Sequence, residues 1–187
     1  KRLSRQSNHG SMLVSHSLGF LAAAKNGLSE DELLDVLSKD NEVLADFQNR
    51  SPKSPKVNHL PVVVWSRLYL DLEPYLMERL SDGISLIGFY HSQMLEACQI
   101  AFRDASRHAE LAVYFNSQPF YLDKNEQELN LRKLSEMVYQ QVEAGFSTQA
   151  QETLLKKKKK KARIIGHGVE KSNEDFVPVI EKKKKKK

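Results

Sequence analysis

Six histidines are the residues of this chain best suited to chemistry: His9, His16, His59, His91, His108 and His167. Their spacing removes the commonest uses. None has another histidine or a cysteine at metal-ligand spacing, so no metal site is expected. His16 directly follows Ser15, and adjacent helical residues do not face each other as base and nucleophile. The chain also lacks G-x-x-x-x-G-K-[ST], G-x-G-x-x-G and G-x-S-x-G, so neither a phosphate-cradling loop nor a nucleophile elbow is expected. The aspartates and glutamates fall at capping and surface positions and read as solvated. No catalytic constellation emerges, and His91 is left. It stands where a hairpin hands over to a helix, and a helix start presents free N–H groups and a positive dipole end. An imidazole there could donate a hydrogen bond to a phosphate oxygen. The plainer alternative is a helix-start histidine that is hydrated or packed on the hairpin.

The elements that position His91 are legible as patterns. Leu13, Val14, Leu18, Leu21 and Ala22 repeat at helical spacing, which predicts a helix over 11–25 with Asn26-Gly27 as its C-cap. Ser29-Glu30-Asp31-Glu32 reads as a capping box that starts a second helix. A third follows Asp40, with Val43, Leu44 and Phe47 on one face. Residues 48–59, with Pro52 and Pro55, read as an exposed loop. The spacing of Val64, Trp65, Leu68 and Leu72 predicts a helix that Pro74 ends. Asp82-Gly83 between two apolar runs predicts a hairpin over 75–89. Met94, Leu95, Cys98, Ala101 and Phe102 then form the apolar face of a helix over about 92–102. Trp65, Phe89 and Tyr90 read as packing residues. Further helices are expected over 109–115, over 125–144 with Asn125 as N-cap, and over 147–155. Helices, hairpin and helix in that order predict a mainly α chain. It comprises a winged-helix domain over 1–103 with the hairpin as its wing, then a helical, repeat-like segment over 104–155, then a lysine-rich tail over 156–187.

Charge needs reading in two parts. The formal net charge is +5, but two runs of six lysines, 156–161 and 182–187, hold 12 of the 29 basic residues. The other 17 face 24 acidic residues, so the foldable body is acidic and would repel a phosphate backbone. Like-charge blocks repel, so the tail is expected to be largely disordered, apart from a strand-like stretch over 176–180. Non-specific contact with nucleic acid through the lysines is the one nucleic-acid role left open. The single cysteine, Cys98, excludes an intrachain disulfide and fits a cytoplasmic chain. Apolar segments are too short to span a bilayer, so no membrane partner is expected. The chain opens at Lys1 rather than a methionine, as a piece of a longer protein would.

Several blocks together carry a resemblance. GLSEDELLDVLS, LPVVVWSRLYLDLEPYL, DGISLIGFYHSQM, RHAELAVYF and NLRKLSEMVYQQ occur in this order over about residues 11–145. They resemble the region that follows the nucleotide-binding domain in NACHT–WD-repeat proteins, of the STAND class of signalling NTPases. The resemblance implies a winged helix and helical linker that pack on an upstream nucleotide-binding domain of the same protein. That domain would carry the ADP or ATP and the Walker motifs, so this segment is expected to hold no cofactor and catalyse nothing itself. The module would gate signalling and self-oligomerisation in the active state. The family's histidine after the wing contacts the β-phosphate of ADP, and GFYHSQM carries that role to His91. The next residue, commonly basic in the family, is Ser92 here.

Two other readings follow from the residues. A nucleic-acid-binding winged helix would insert residues 40–48 into a major groove, but Asp40, Glu42 and Asp46 oppose this. A purely helical interaction scaffold would have no ligand near His91.

Overall fold

The computed structural model describes residues 2–5, 8–102, 104–126, 128–156 and 158. The expected tail and its strand-like stretch lie outside the described residues except for Lys156 and Lys158. The described residues up to Ala150 form one compact unit, and beyond it residues 151–156 are helical.

In the first unit, α1 (Ser11–Ala23) is apolar nearly all round and is therefore the central helix. It packs against α2 (Glu30–Lys39), α3 (Asn41–Arg50), α5 (Ser92–Ala101) and α6 (Ala105–Ser117). Leu13, Phe20 and Leu21 are at most 2% exposed and meet Leu33, Leu37, Val43, Trp65 and Leu68 in one continuous core. The capping box of α2 is complete: Glu32 N–H donates to Ser29 Oγ at 3.1 Å, and Ser29 N–H to Glu32 Oε2 at 3.0 Å.

α4 (Val62–Leu72) follows the loop over 51–61 and buries Trp65, Leu68 and Leu72. Pro74 sits in a single 3₁₀ turn, Glu73–Tyr75, that leads into β1 (Leu76–Ser81). β1 pairs antiparallel with β2 (Ile84–Phe89), from Leu76 opposite Phe89 to Ser81 opposite Ile84. Asp82 and Gly83 both take positive φ, 54° and 85°, as the two-residue turn requires. A bridge between Leu28 and Ile87 adds a minimal third strand to this wing. The helix that feeds the wing is thus α4, not the 40–48 segment that a nucleic-acid-binding reading would place in a groove.

Three sequence expectations are corrected. Asn26-Gly27 does not cap α1. The helix ends at Ala23, where Ala24 N–H donates to Phe20 carbonyl oxygen, and Gly27 serves the Leu28–Ile87 bridge instead. The helix expected from Asn125 starts six residues later. α7 is Leu131–Glu143, with Asn130 as the N-cap that accepts from Lys133 N–H at 2.9 Å. The Asn125 segment is a turn that Asp123 holds by accepting from the N–H groups of Asn125 and Glu128. Lastly, the acids are not all solvated, since Glu32 is 7% and Glu136 0% exposed.

Asp40 shows how a charged cap is used. Its Oδ1 accepts from the N–H groups of Glu42 and Val43, and its Oδ2 pairs with Nδ1 of His16 on α1. Burial alone would raise its pKa. The His16 contact and the two N–H groups outweigh this and hold the carboxyl below its ordinary value. Asp40→Asn keeps an N-cap acceptor and removes only the charge. We expect it to cost about 1–2 kcal/mol at pH 7, the worth of a hydrogen bond to a charged group. A carboxyl with a depressed folded-state pKa contributes stability above its unfolded pKa of about 3.9, and loses it as pH falls through the lower folded value. Urea unfolding at pH 7 and pH 3 should therefore show the two proteins converging in acid. A gap that stays constant would mean the charge is irrelevant.

Candidate functional site

The histidine singled out in the sequence lies at the exit of the wing. Tyr90 N–H donates to Tyr75 carbonyl oxygen at 2.9 Å and closes the hairpin base. His91 is then the N-cap of α5, with φ −106° and ψ 133°. Its carbonyl oxygen accepts from the N–H groups of Met94 and Leu95. No side chain caps this helix, so its first N–H groups have no side-chain acceptor. The imidazole is exposed and meets the Tyr90 ring edge-on, with centroids 4.5 Å apart. Tyr90, expected to be a packing residue, is 61% exposed instead. Trp65 is buried and Phe89 half-buried, as packing residues should be.

The other described histidines are engaged. His9 pairs with Asp71 at 2.9 Å, His16 with Asp40, His59 with Asp35 at 3.2 Å, and His108 with Gln140 at 2.7 Å. His167 lies outside the described residues. Among the described histidines, only His91 has a ring that no side chain of this chain engages by hydrogen bond. An exposed donor at a bare helix N-terminus suits an anion supplied from outside. Burial pushes the thiol of Cys98, on the same helix, up to about 11, which keeps it protonated at neutral pH.

Sequence reasoning missed a second group of charges, which ties α7 to α2 and to the turn after α1. Arg132 of α7 is 6% exposed. Its Nε donates to Glu32 Oε1 at 2.9 Å, its Nη1 to Glu136 Oε2 at 2.7 Å, and its Nη2 to Gly27 carbonyl oxygen at 2.7 Å. Glu136 Oε1 in turn accepts from Lys25 N–H at 2.7 Å and from Gln140 Nε2 at 2.8 Å. Gln140 also donates to Ala23 carbonyl oxygen. This network satisfies the frayed end of α1 with side chains from α7. It reaches the wing as well, because Ser135 donates to Asp82 Oδ2 at 2.5 Å at the hairpin tip. The sole sequence signal was the cluster of Arg132, Glu136 and Gln140 at four-residue spacing, which is indistinguishable from an exposed helix face.

The family model for the NWD1-like, winged helix-turn-helix domain matches residues 1–105. Human NACHT domain- and WD repeat-containing protein 1 is 32% identical over 202 aligned positions, covering 91% of this chain and 13% of that protein. The mouse protein of the same name matches to the same extent. Human NACHT and WD repeat domain-containing protein 2 is 36% identical over 112 positions, covering 57% of this chain and 6% of that protein. The chain therefore spans about an eighth or less of the length of the curated relatives it matches. No solved structure matches it.

Proposed function

Because the chain belongs to the NWD1-like winged helix-turn-helix family and corresponds to a region of NACHT/WD-repeat proteins, we propose that it is a nucleotide-gated regulatory module. In this reading it packs on the upstream nucleotide-binding domain of its own protein and stabilises the resting, ADP-bound state. His91 reaches across that joint to the ADP β-phosphate. Release of the joint frees the protein to self-associate and signal. ATP hydrolysis belongs to the neighbouring domain, and the module works in the cytoplasm. One observation carries the reading: among the described residues no side chain hydrogen-bonds the exposed His91 imidazole, and none caps the helix start beside it. No helix among the described residues is long and apolar enough to cross a membrane.

The α4 face supports a protein partner over nucleic acid. Val62, Val63 and Leu70 are at least 50% exposed, and Arg67 is the one basic residue on the helix. A groove-reading helix needs donors and cations for bases and phosphates. This one presents apolar surface.

In the full-length protein, His91→Ala should weaken ADP retention by about 10- to 100-fold, the worth of one charge-assisted hydrogen bond. It should also shift the protein towards the self-associated state. Nucleotide co-purifying with the protein, with light scattering for assembly, measures both. Wild-type ADP content together with wild-type assembly would refute the role of His91.

A further inference from the structure

Two arginines are buried in this fold, and only one has its fork filled by hydrogen-bond acceptors. Arg132 and Arg107 are each 6% exposed, and each lies over an aromatic ring, Phe115 at 5.0 Å and Phe20 at 5.1 Å. Arg132 is saturated by two carboxylates and a carbonyl oxygen. Arg107, in the first turn of α6, has no hydrogen-bond partner on Nε, and among the described residues its guanidinium forms no ion pair.

The fold makes room for it. A Cβ at Gly19 would lie 2.4 Å from Arg107 Nε and 2.9 Å from its Cδ and Cζ. A glycine in mid-helix is less favourable than alanine. A buried guanidinium with an unmet donor adds a desolvation cost. A methionine at 107 beside an alanine at 19 would avoid both. Asp104 feels the Arg107 charge and Phe20 lies beneath it, but among the described residues no acceptor reaches Nε, which leaves that side of the fork to a group from outside.

Arg107 lines two open grooves on either side of α6, of about 530 and 540 Å³. Asp104 lines both, Glu143 one, and Asp40, Glu42 and Glu110 the other. Acids outnumber bases there, so a doubly charged phosphate would be repelled. A single carboxylate can take the guanidinium fork, provided the flanking groups are cationic. Each groove also has an apolar rim residue, Ile100 at 75% and Val113 at 66% exposed.

We propose that Arg107 is the receptor for a carboxylate on a polypeptide partner segment, one Asp or Glu flanked by Lys or Arg and by an apolar side chain, which docks along α6. The site is separate from His91 and does not depend on the nucleotide reading.

The test uses the whole 187-residue chain labelled with ¹⁵N. The Arg107 Nε–H resonance is assigned by its loss in Arg107→Met. The probes are an acetylated, amidated pentapeptide Lys-Leu-Glu-Lys-Leu, its glutamine counterpart, and inorganic phosphate. The glutamate peptide should shift the Arg107 Nε–H and the Gly19 amide saturably. The glutamine peptide should bind about tenfold more weakly or worse, as the loss of a charge-assisted bond implies. Phosphate should compete poorly. Arg107→Met should abolish the response and raise the melting temperature by about 3 °C or more, because an unpaired charge leaves the interior. Equal binding of both peptides, preference for phosphate, or no saturable shift with the glutamate peptide would overturn the proposal. So would a lower melting temperature for Arg107→Met, which would make the arginine a packing residue.

Discussion

Replacing Arg132 with Met should lower the unfolding free energy by about 3–5 kcal/mol, the usual cost of removing one partner from a buried ion cluster. Methionine fills much of the same channel, so the loss is electrostatic rather than a cavity effect. Glu136 is 0% and Glu32 7% exposed, and water cannot replace the guanidinium without opening the helix packing. Gly27 carbonyl oxygen would lose its donor too. Arg132→Met/Glu136→Gln should recover a substantial part of the loss, because glutamine needs no counter-ion and Lys25 and Gln140 can still bond it. Urea unfolding of the two single variants and the double variant measures the coupling. An effect below about 1 kcal/mol for Arg132→Met would show the network to be solvated, as surface pairs are.

How much of this was legible follows from where each interaction lies in the chain. Local interactions were readable. The Ser29–Glu32 box, the Asp82-Gly83 turn and the helical spacing of the core depend on residues within four positions of each other. The winged-helix order was therefore recoverable, and so was the placement of His91 between β2 and α5. Long-range polar contacts were not. Glu32 and Arg132 are 100 positions apart, and nothing local separates a carboxylate that caps its own helix from one that also neutralises a distant guanidinium. The same blindness displaced the start of α7. Asn125 and Asn130 are both plausible caps. The choice was made by the Tyr121–Leu129 bridge and by Lys133, whose Nζ donates to the carbonyl oxygens of Asn116 and Gln118 at the end of α6. On α7 burial does not follow the apolar residues. Leu131 and Val142 are more than 50% exposed, while Lys133 and Gln140 are buried, because the helix turns its hydrogen-bonding face inward.

The network also bears on how the module could switch. Arg132 and Ser135 tie α7 both to the turn after α1 and to the tip of the wing. If the wing moved at the joint proposed above, it would pull on Asp82, and through Ser135 on α7.

Gly27→Ala should be nearly as damaging as the loss of Arg132, and for a reason that needs no electrostatics. Gly27 has φ +89°, where an L side chain is strained. An added Cβ would lie 2.2 Å from Ile87 carbonyl oxygen and 2.9 Å from its carbon, both backbone atoms that no rotamer change can move. The strands must part. That breaks the bridge in which Leu28 N–H donates to Ile87 carbonyl oxygen at 3.0 Å and Ile87 N–H to Leu28 carbonyl oxygen at 2.7 Å. Two lost hydrogen bonds at about 1 kcal/mol each, with about 1–3 kcal/mol of backbone strain, give a loss of about 3–5 kcal/mol. Gly83→Ala is the control. Its φ is +85°, but nothing lies within 4 Å of a Cβ there, so only the conformational cost of about 1–2 kcal/mol applies. Thermal and urea unfolding of the two variants side by side would separate contact from conformation. Equal losses would mean that the close approach of residue 27 to the wing does not hold the Leu28–Ile87 bridge in place.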